Sequence, residues 1–115
     1  MKAELVSVWR DVEVVGAALA ERPDSSGWNL VFQRSNSFTD SDRKSGTDTY
    51  SITNESGVTV YGGVTRWRVD GSNLNLALDT ETGSQLGLPA DVAIALGVEA
   101  ARIADLSKTL ADVLA

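Results

Sequence analysis

Among its 115 residues the chain has neither cysteine nor histidine. Without cysteine there is no disulfide framework, no thiolate nucleophile and no cysteine-type zinc site. Without histidine the commonest general base, the commonest metal ligand and the usual physiological-pH switch are missing. Basic residues are also scarce: 10 Lys and Arg stand against 16 Asp and Glu, a net charge of −6. A protein that binds a phosphate backbone needs clustered cations, so nucleic acid is not an expected partner and a basic protein is. The plainer reading of the same acidity is solubility. No apolar run approaches the ~20 residues of a membrane span. The segment MKAELVSVWRDVEVV lacks the uninterrupted apolar core and small-residue cleavage site of a secretory signal. The expectation is a cytoplasmic protein without membrane association.

What is present is the composition of an ordinary globular protein, 43% hydrophobic and 23% charged, with length for a single domain over residues 1–115. Residues 3–20 hold two β-rich runs in which Val6, Val8, Val12 and Val14 share one parity. That pattern is met by one long bent strand or by a pair buried on both faces. Arg22 to Gly27 is turn chemistry, and the strand after it places Trp28, Leu30 and Phe32 on one face. Ser35 to Asp48 is a long polar stretch without periodicity. Loops of that length are usually functional or mobile.

Residues 49–79 read as two hairpins sharing a middle strand. In the first, the loop Glu55-Ser56-Gly57 pairs Ile52 with Val60 and sets Tyr50 opposite Gly62. In the second, Asp70-Gly71 is a favoured type I′ pair, so Val69 is expected opposite Ser72 and Trp67 opposite Leu74. Trp67, Val69, Leu74, Leu76 and Leu78 then share one side. The inward parity is even at Val58 and Val60 and odd at Trp67 and Val69, a change that an uninterrupted strand cannot make and a β-bulge can. Gly62-Gly63 is where a bulge costs least, with positive φ or a broken ladder expected there.

Asp79 or Thr80 can cap a short helical turn that Gly87 ends and Pro89 blocks, weakened by Gly83 in its middle. Asp91 to Leu96 alternates as a last strand. From Val98 the period becomes helical, with Ile103, Leu106, Leu110, Val113 and Leu114 as the apolar stripe and Lys108 and Asp112 at i,i+4 spacing on the wet side. The fold class is α+β: a mainly antiparallel sheet of about six or seven strands packed on one C-terminal helix, with a bulge at Gly62-Gly63.

The residues offer little chemistry. The stretch from Asp40 has Asp-x-Asp, but Lys44, Ser45 and Ser51 fall where a calcium loop needs an oxygen ligand, a glycine and a bidentate glutamate. Paired carboxylates such as Asp40 with Asp42, or Asp79 with Glu81, are expected by chance in so acidic a chain, and nothing marks them as buried. No serine elbow and no phosphate-cradling loop is present. No catalytic residue, cofactor or metal ligand is therefore assigned. For recognition, the polar loop offers Phe38 as an anchor with Asp40, Asp42 and Asp48 beside it, because loops on a rigid sheet often carry binding. Trp9 and Tyr61 are the aromatics placed for exposure, whereas Trp28 and Trp67 sit on apolar faces.

From Tyr50 to Leu96, the tyrosine before the first hairpin, YGGV, the alternating second hairpin and LGLP after an acidic turn resemble an immunity-protein family of bacterial polymorphic toxin systems, the one numbered ten. The resemblance implies a small non-enzymatic protein that binds and blocks a co-encoded toxin domain. A nuclease, whose nucleic-acid-binding face is basic, is a toxin class that a charge of −6 would complement. A monomer or weak dimer fits this reading. Two rivals are an enzyme using carboxylates alone and a structural protein that self-associates through a strand edge.

Overall fold

The computed structural model describes residues 1–115. It is a mixed α+β fold of nine strands and three helices. The N-terminal runs resolve into β1 (Lys2–Ala3), β2 (Leu5–Arg10) and β3 (Val14–Ala20), followed by β4 (Asn29–Ser35) and a short helix, α1 (Asp40–Ser45). Then come β5 (Ser51–Asn54), β6 (Thr59–Tyr61), β7 (Val64–Asp70), β8 (Asn73–Leu78), α2 (Thr80–Leu86), β9 (Asp91–Leu96) and α3 (Ala100–Val113). The strands form two sheets. One is an antiparallel meander in the order β2-β3-β4-β5-β6, and the other has the order β1-β9-β8-β7, with β1 parallel to β9.

A shared apolar cluster joins the two sheets and α3. From the five-stranded sheet come Val6, Leu19, Leu30, Phe32 and Ile52, from the four-stranded sheet Leu74, Leu76, Val92 and Ile94, and from α3 Leu106, Leu110 and Val113. The helical stripe read from the sequence is thus the buried one. Arg10 and Arg34 stand in one cross-strand row on either side of Val15 and reach the end of α3. Arg10 pairs with Asp112, and Arg34 donates to the carbonyl of Ala115 at 2.8 Å. Cations at a helix C-terminus satisfy its free carbonyls and oppose its dipole. Asp112 is therefore engaged by Arg10 rather than by Lys108.

Local chemistry explains where the structure departs from the sequence reading. Asp11 accepts the N–H groups of Glu13 and Val14 at 2.7 and 2.9 Å, an Asx turn that ends β2 and leaves Val12 91% exposed. The inward parity shifts there, so Val12 and Val14 do not join Val6 and Val8. The polar stretch is not all loop: Thr39 and Asp42 form a reciprocal capping box that starts α1, and Gly46 ends it in the left-handed region. In the second hairpin Asp70 pairs with Asn73 and Val69 with Leu74. Gly71-Ser72 is the two-residue turn, with Gly71 at φ 59°, in place of Asp70-Gly71. Because both flanks shift together, Trp67, Val69 and Leu74 still share a side.

The stretch around the paired glycines does more than a bulge would. Gly62 and Gly63 have φ of 73° and 98°, as expected, and the ladder breaks there. β6 is the edge of one sheet and β7 the edge of the other, so the glycines carry the chain between sheets. Tyr50 braces the crossing: its carbonyl accepts from Gly62 N–H at 2.9 Å and its hydroxyl from Val64 N–H at 2.8 Å. The register shift lies between Val64 and Arg66, so the extra residue that changes the inward parity is Thr65.

Candidate partner-binding face

Successive side chains of the meander point to opposite sides of the sheet, so one side of each strand faces the core and the other faces out, with Gly16 and Ala20 of β3 buried on the outer side. Cross-strand pairing lines the outward residues into rows. One row runs Trp9, Gly16, Gln33, Ser51, Tyr61 across the whole sheet. The next runs Ser7, Ala18, Val31, Thr53, Thr59. In a chain with 10 basic and 16 acidic residues, neither row carries a charge.

Each end of the first row is an aromatic. Tyr61 lies on the edge strand β6 and is 52% exposed. Trp9 is half-buried because its indole lies over Gly16, where a Cβ would overlap the ring. A glycine in a central strand is covered by the cross-strand aromatic. Between the ends the residues are small or uncharged, and Thr53 and Thr59 share a hydroxyl hydrogen bond of 2.8 Å.

The polar stretch folds over one border of this face and forms a cleft of about 160 Å³. Gln33, Ser35, Ser51 and Tyr61 of the sheet line it, together with Phe38, Asp42 and Thr47 from the stretch. Arg34 stacks over the Phe38 ring, 5.6 Å from its centroid, which fixes the ring at the border. Asp42 is the one charged side chain in the lining, and its Oδ2 already accepts the Thr39 N–H at 2.9 Å. Pockets for small molecules usually reach ~300–1,000 Å³, so this cleft is sized for a single side chain.

The structure thus brings Trp9, Phe38, Asp42 and Tyr61 to one face. It does not place Asp40 or Asp48 in the cleft. Asp40 pairs with Arg43 at 3.1 Å on α1, and Asp48 is exposed. Gln33 and Ser51 are the residues that sequence reasoning missed. Their signal was available once register was known, since both pair in line with Gly16 and Tyr61. No Asp or Glu is buried. Asp79 has its carboxyl held below the ordinary 3.8 by the Thr82 N–H first and the Thr82 hydroxyl second, but it serves as the N-cap of α2.

Fold and face together define a small α+β protein whose five-stranded sheet has an uncharged outer face ended by aromatics. The chain belongs to the Immunity protein 10 family, whose model matches residues 2–104. The match takes in the N-terminal meander as well as the hairpins on which the resemblance was read, and it reaches into α3. The family is of the immunity type, generally non-enzymatic, and implies a toxin partner. No curated protein and no solved structure matches the chain significantly. No helix is long and apolar enough to cross a membrane.

Proposed function

We propose that this chain is a cytoplasmic, non-enzymatic immunity protein that binds a co-encoded toxin domain and covers its active surface. The observation that carries the reading is the pair of uncharged rows, the first of them ended by Trp9 and Tyr61, on a chain of an immunity family. The cores of protein interfaces are depleted in charge and enriched in tyrosine and tryptophan. The cleft beside Phe38 receives one toxin side chain, the kind of filled pocket around which hot spots form. Asp42 at its wall gives the cleft a rim of negative charge. Such a rim speeds association with a basic toxin such as a nuclease and favours it over acidic competitors.

Co-expression with the toxin encoded beside this gene is the test. A stable complex and restored growth are expected, and Tyr61→Ala and Trp9→Ala should each weaken both. A toxin that remains lethal in the presence of the wild-type protein would sink the proposal. Full protection by the double variant would move the contact to another face.

A further inference from the structure

The four-stranded sheet also has an uncovered face, and its outward residues fall into three cross-strand rows. The first is Arg66, Ala77 and Asp91; the second is Arg68, Asn75 and Ala93; the third is Asp70, Asn73, Ala95 and Lys2. The interior of the face is alanine and asparagine, so its floor is low. A groove of about 560 Å³ runs between Arg66, Arg68, Asp91 and that floor.

Charge is distributed with a particular symmetry. A cation, Arg66, faces an anion, Asp91, across the first row. An anion, Asp70, faces a cation, Lys2, across the third. Arg68 leans on Asp70 at 3.1 Å and Lys2 on Glu4 at 3.3 Å, while Arg66 and Asp91 form no ion pair within the chain.

A two-fold axis lying in this face and parallel to β8 would set the β7 side of one copy over the β9 and β1 side of another. Arg66 would then meet Asp91 of the second copy, and Asp70 would stand over Ala95 of the second copy, one strand (~4.8 Å) from Lys2 and within reach of its long side chain, each pair occurring twice. Asn75 would lie near the axis. A two-fold contact uses the same patch on both subunits, so the patch must complement itself. This one does directly in the first row, where Arg66 faces Asp91 of the other copy, and one strand off in the third, where Lys2 can reach Asp70, and its low floor lets two sheets approach closely.

We infer that the chain forms a symmetric dimer by stacking the outer faces of two four-stranded sheets. Arg66–Asp91 pairs between copies fix the alignment, with Lys2 reaching toward Asp70 of the other copy as a secondary contact. The face bearing Trp9 and Tyr61 belongs to the other sheet and stays free, so each copy of the dimer can hold a toxin. The dimer itself does not depend on the toxin reading.

Sedimentation from micromolar to millimolar protein, without toxin, tests this. The wild type should dimerise in that range and dissociate as salt rises, since exposed pairs are screened. Arg66→Asp should weaken the dimer at least ~100-fold, because like charges then meet at two places in one interface. Arg66→Asp combined with Asp91→Arg should restore it to within ~10-fold, the complementarity being exchanged rather than lost. Ala93→Arg, which puts a second guanidinium opposite Arg68 of the other copy, should give a folded monomer by circular dichroism, and Tyr61→Ala should leave the dimer intact. A wild type that stays monomeric at millimolar concentration would overturn the inference. So would a dimer indifferent to both Arg66→Asp and Ala93→Arg, or a monomer whose protection against the toxin is lost with Ala93→Arg, which would assign this face to the toxin.

Discussion

On the five-stranded sheet the outward positions between Trp9 and Tyr61 are uncharged. On the four-stranded sheet Arg66, Arg68, Asp70, Asp91 and Lys2 stand around a floor of Ala77, Ala93 and Asn75. The inner faces of both sheets obey the same demand, mainly apolar residues at alternate positions, because they fill a common core. The outer faces are under no such demand, and they differ in charge. An uncharged face is cheap to desolvate against a partner of another kind, whereas a face patterned with both signs gains only from a surface that matches the pattern.

The largest effect is expected where the two sheets are joined. A Cβ at Gly63 would overlap the Thr82 side chain, and φ there is 98°. Gly63→Ala should cost about 2–5 kcal/mol, from left-handed strain and overpacking together. At Gly62 the nearest atom to an added Cβ is 3.7 Å away, so Gly62→Ala should cost only about 1–2 kcal/mol of backbone strain. Denaturant midpoints of the two variants give the comparison directly, and equal losses would deny the packing role given to Gly63.

A second contrast separates recognition from stability. Tyr61→Ala should weaken toxin binding by ~30-fold, the scale of a 2 kcal/mol hot spot, while changing stability by under ~0.5 kcal/mol, since the side chain is exposed. Trp9→Ala should reduce both, with about 1–2 kcal/mol of stability lost as Gly16 is uncovered. Arg66→Ala, on the other sheet, should leave toxin affinity unchanged. Calorimetry on the three complexes would show whether the two faces are independent.

The smallest effects lie in pH. Burial raises the Tyr50 phenol above 10.0, against the lowering effect of the Val64 N–H. The folded protein keeps the proton that the unfolded chain releases, so stability falls as pH rises past 10.0 toward the raised value. Tyr50→Phe should remove that alkaline loss while leaving the Val64 N–H unpaired near neutrality, at about 1–3 kcal/mol. Asp79 behaves oppositely. Its lowered value means that its contribution is complete above the ordinary carboxylate range and disappears as pH falls through the lowered value. Asp79→Asn should flatten the acid side of a melting-temperature profile.

Much of this fold was legible from period alone. The helix α3, the strand β9 and the alternation of β8 show their buried residues directly, since one face of each is apolar. Caps were legible too: Asp79 and Gly87 bound α2 where turn chemistry placed them. Gly83, expected only to weaken α2, lets the chain fold back, since a Cβ there would lie 2.9 Å from the Leu88 carbonyl. The division into two sheets was not legible, because it depends on which edge a strand joins after Gly62-Gly63, a matter of tertiary packing. The two residues of β1 were equally invisible, since a strand so short has no period and its partner β9 lies at the other end of the chain. For the face, Trp9, Phe38, Asp42 and Tyr61 could be named from exposure and loop logic. Gln33 and Ser51 could not, because only register reveals a row.

The meander has one more implication. Each of its strands carries two sets of residues that alternate without sharing positions, one committed to the core and one to the outside. With Gly16, Trp9 and the buried Ala20 as exceptions, an outward residue can therefore be exchanged while its inward neighbours keep their packing. Such a surface can acquire a new specificity by ordinary point substitution, one row position at a time, without an intermediate that must first survive a damaged interior.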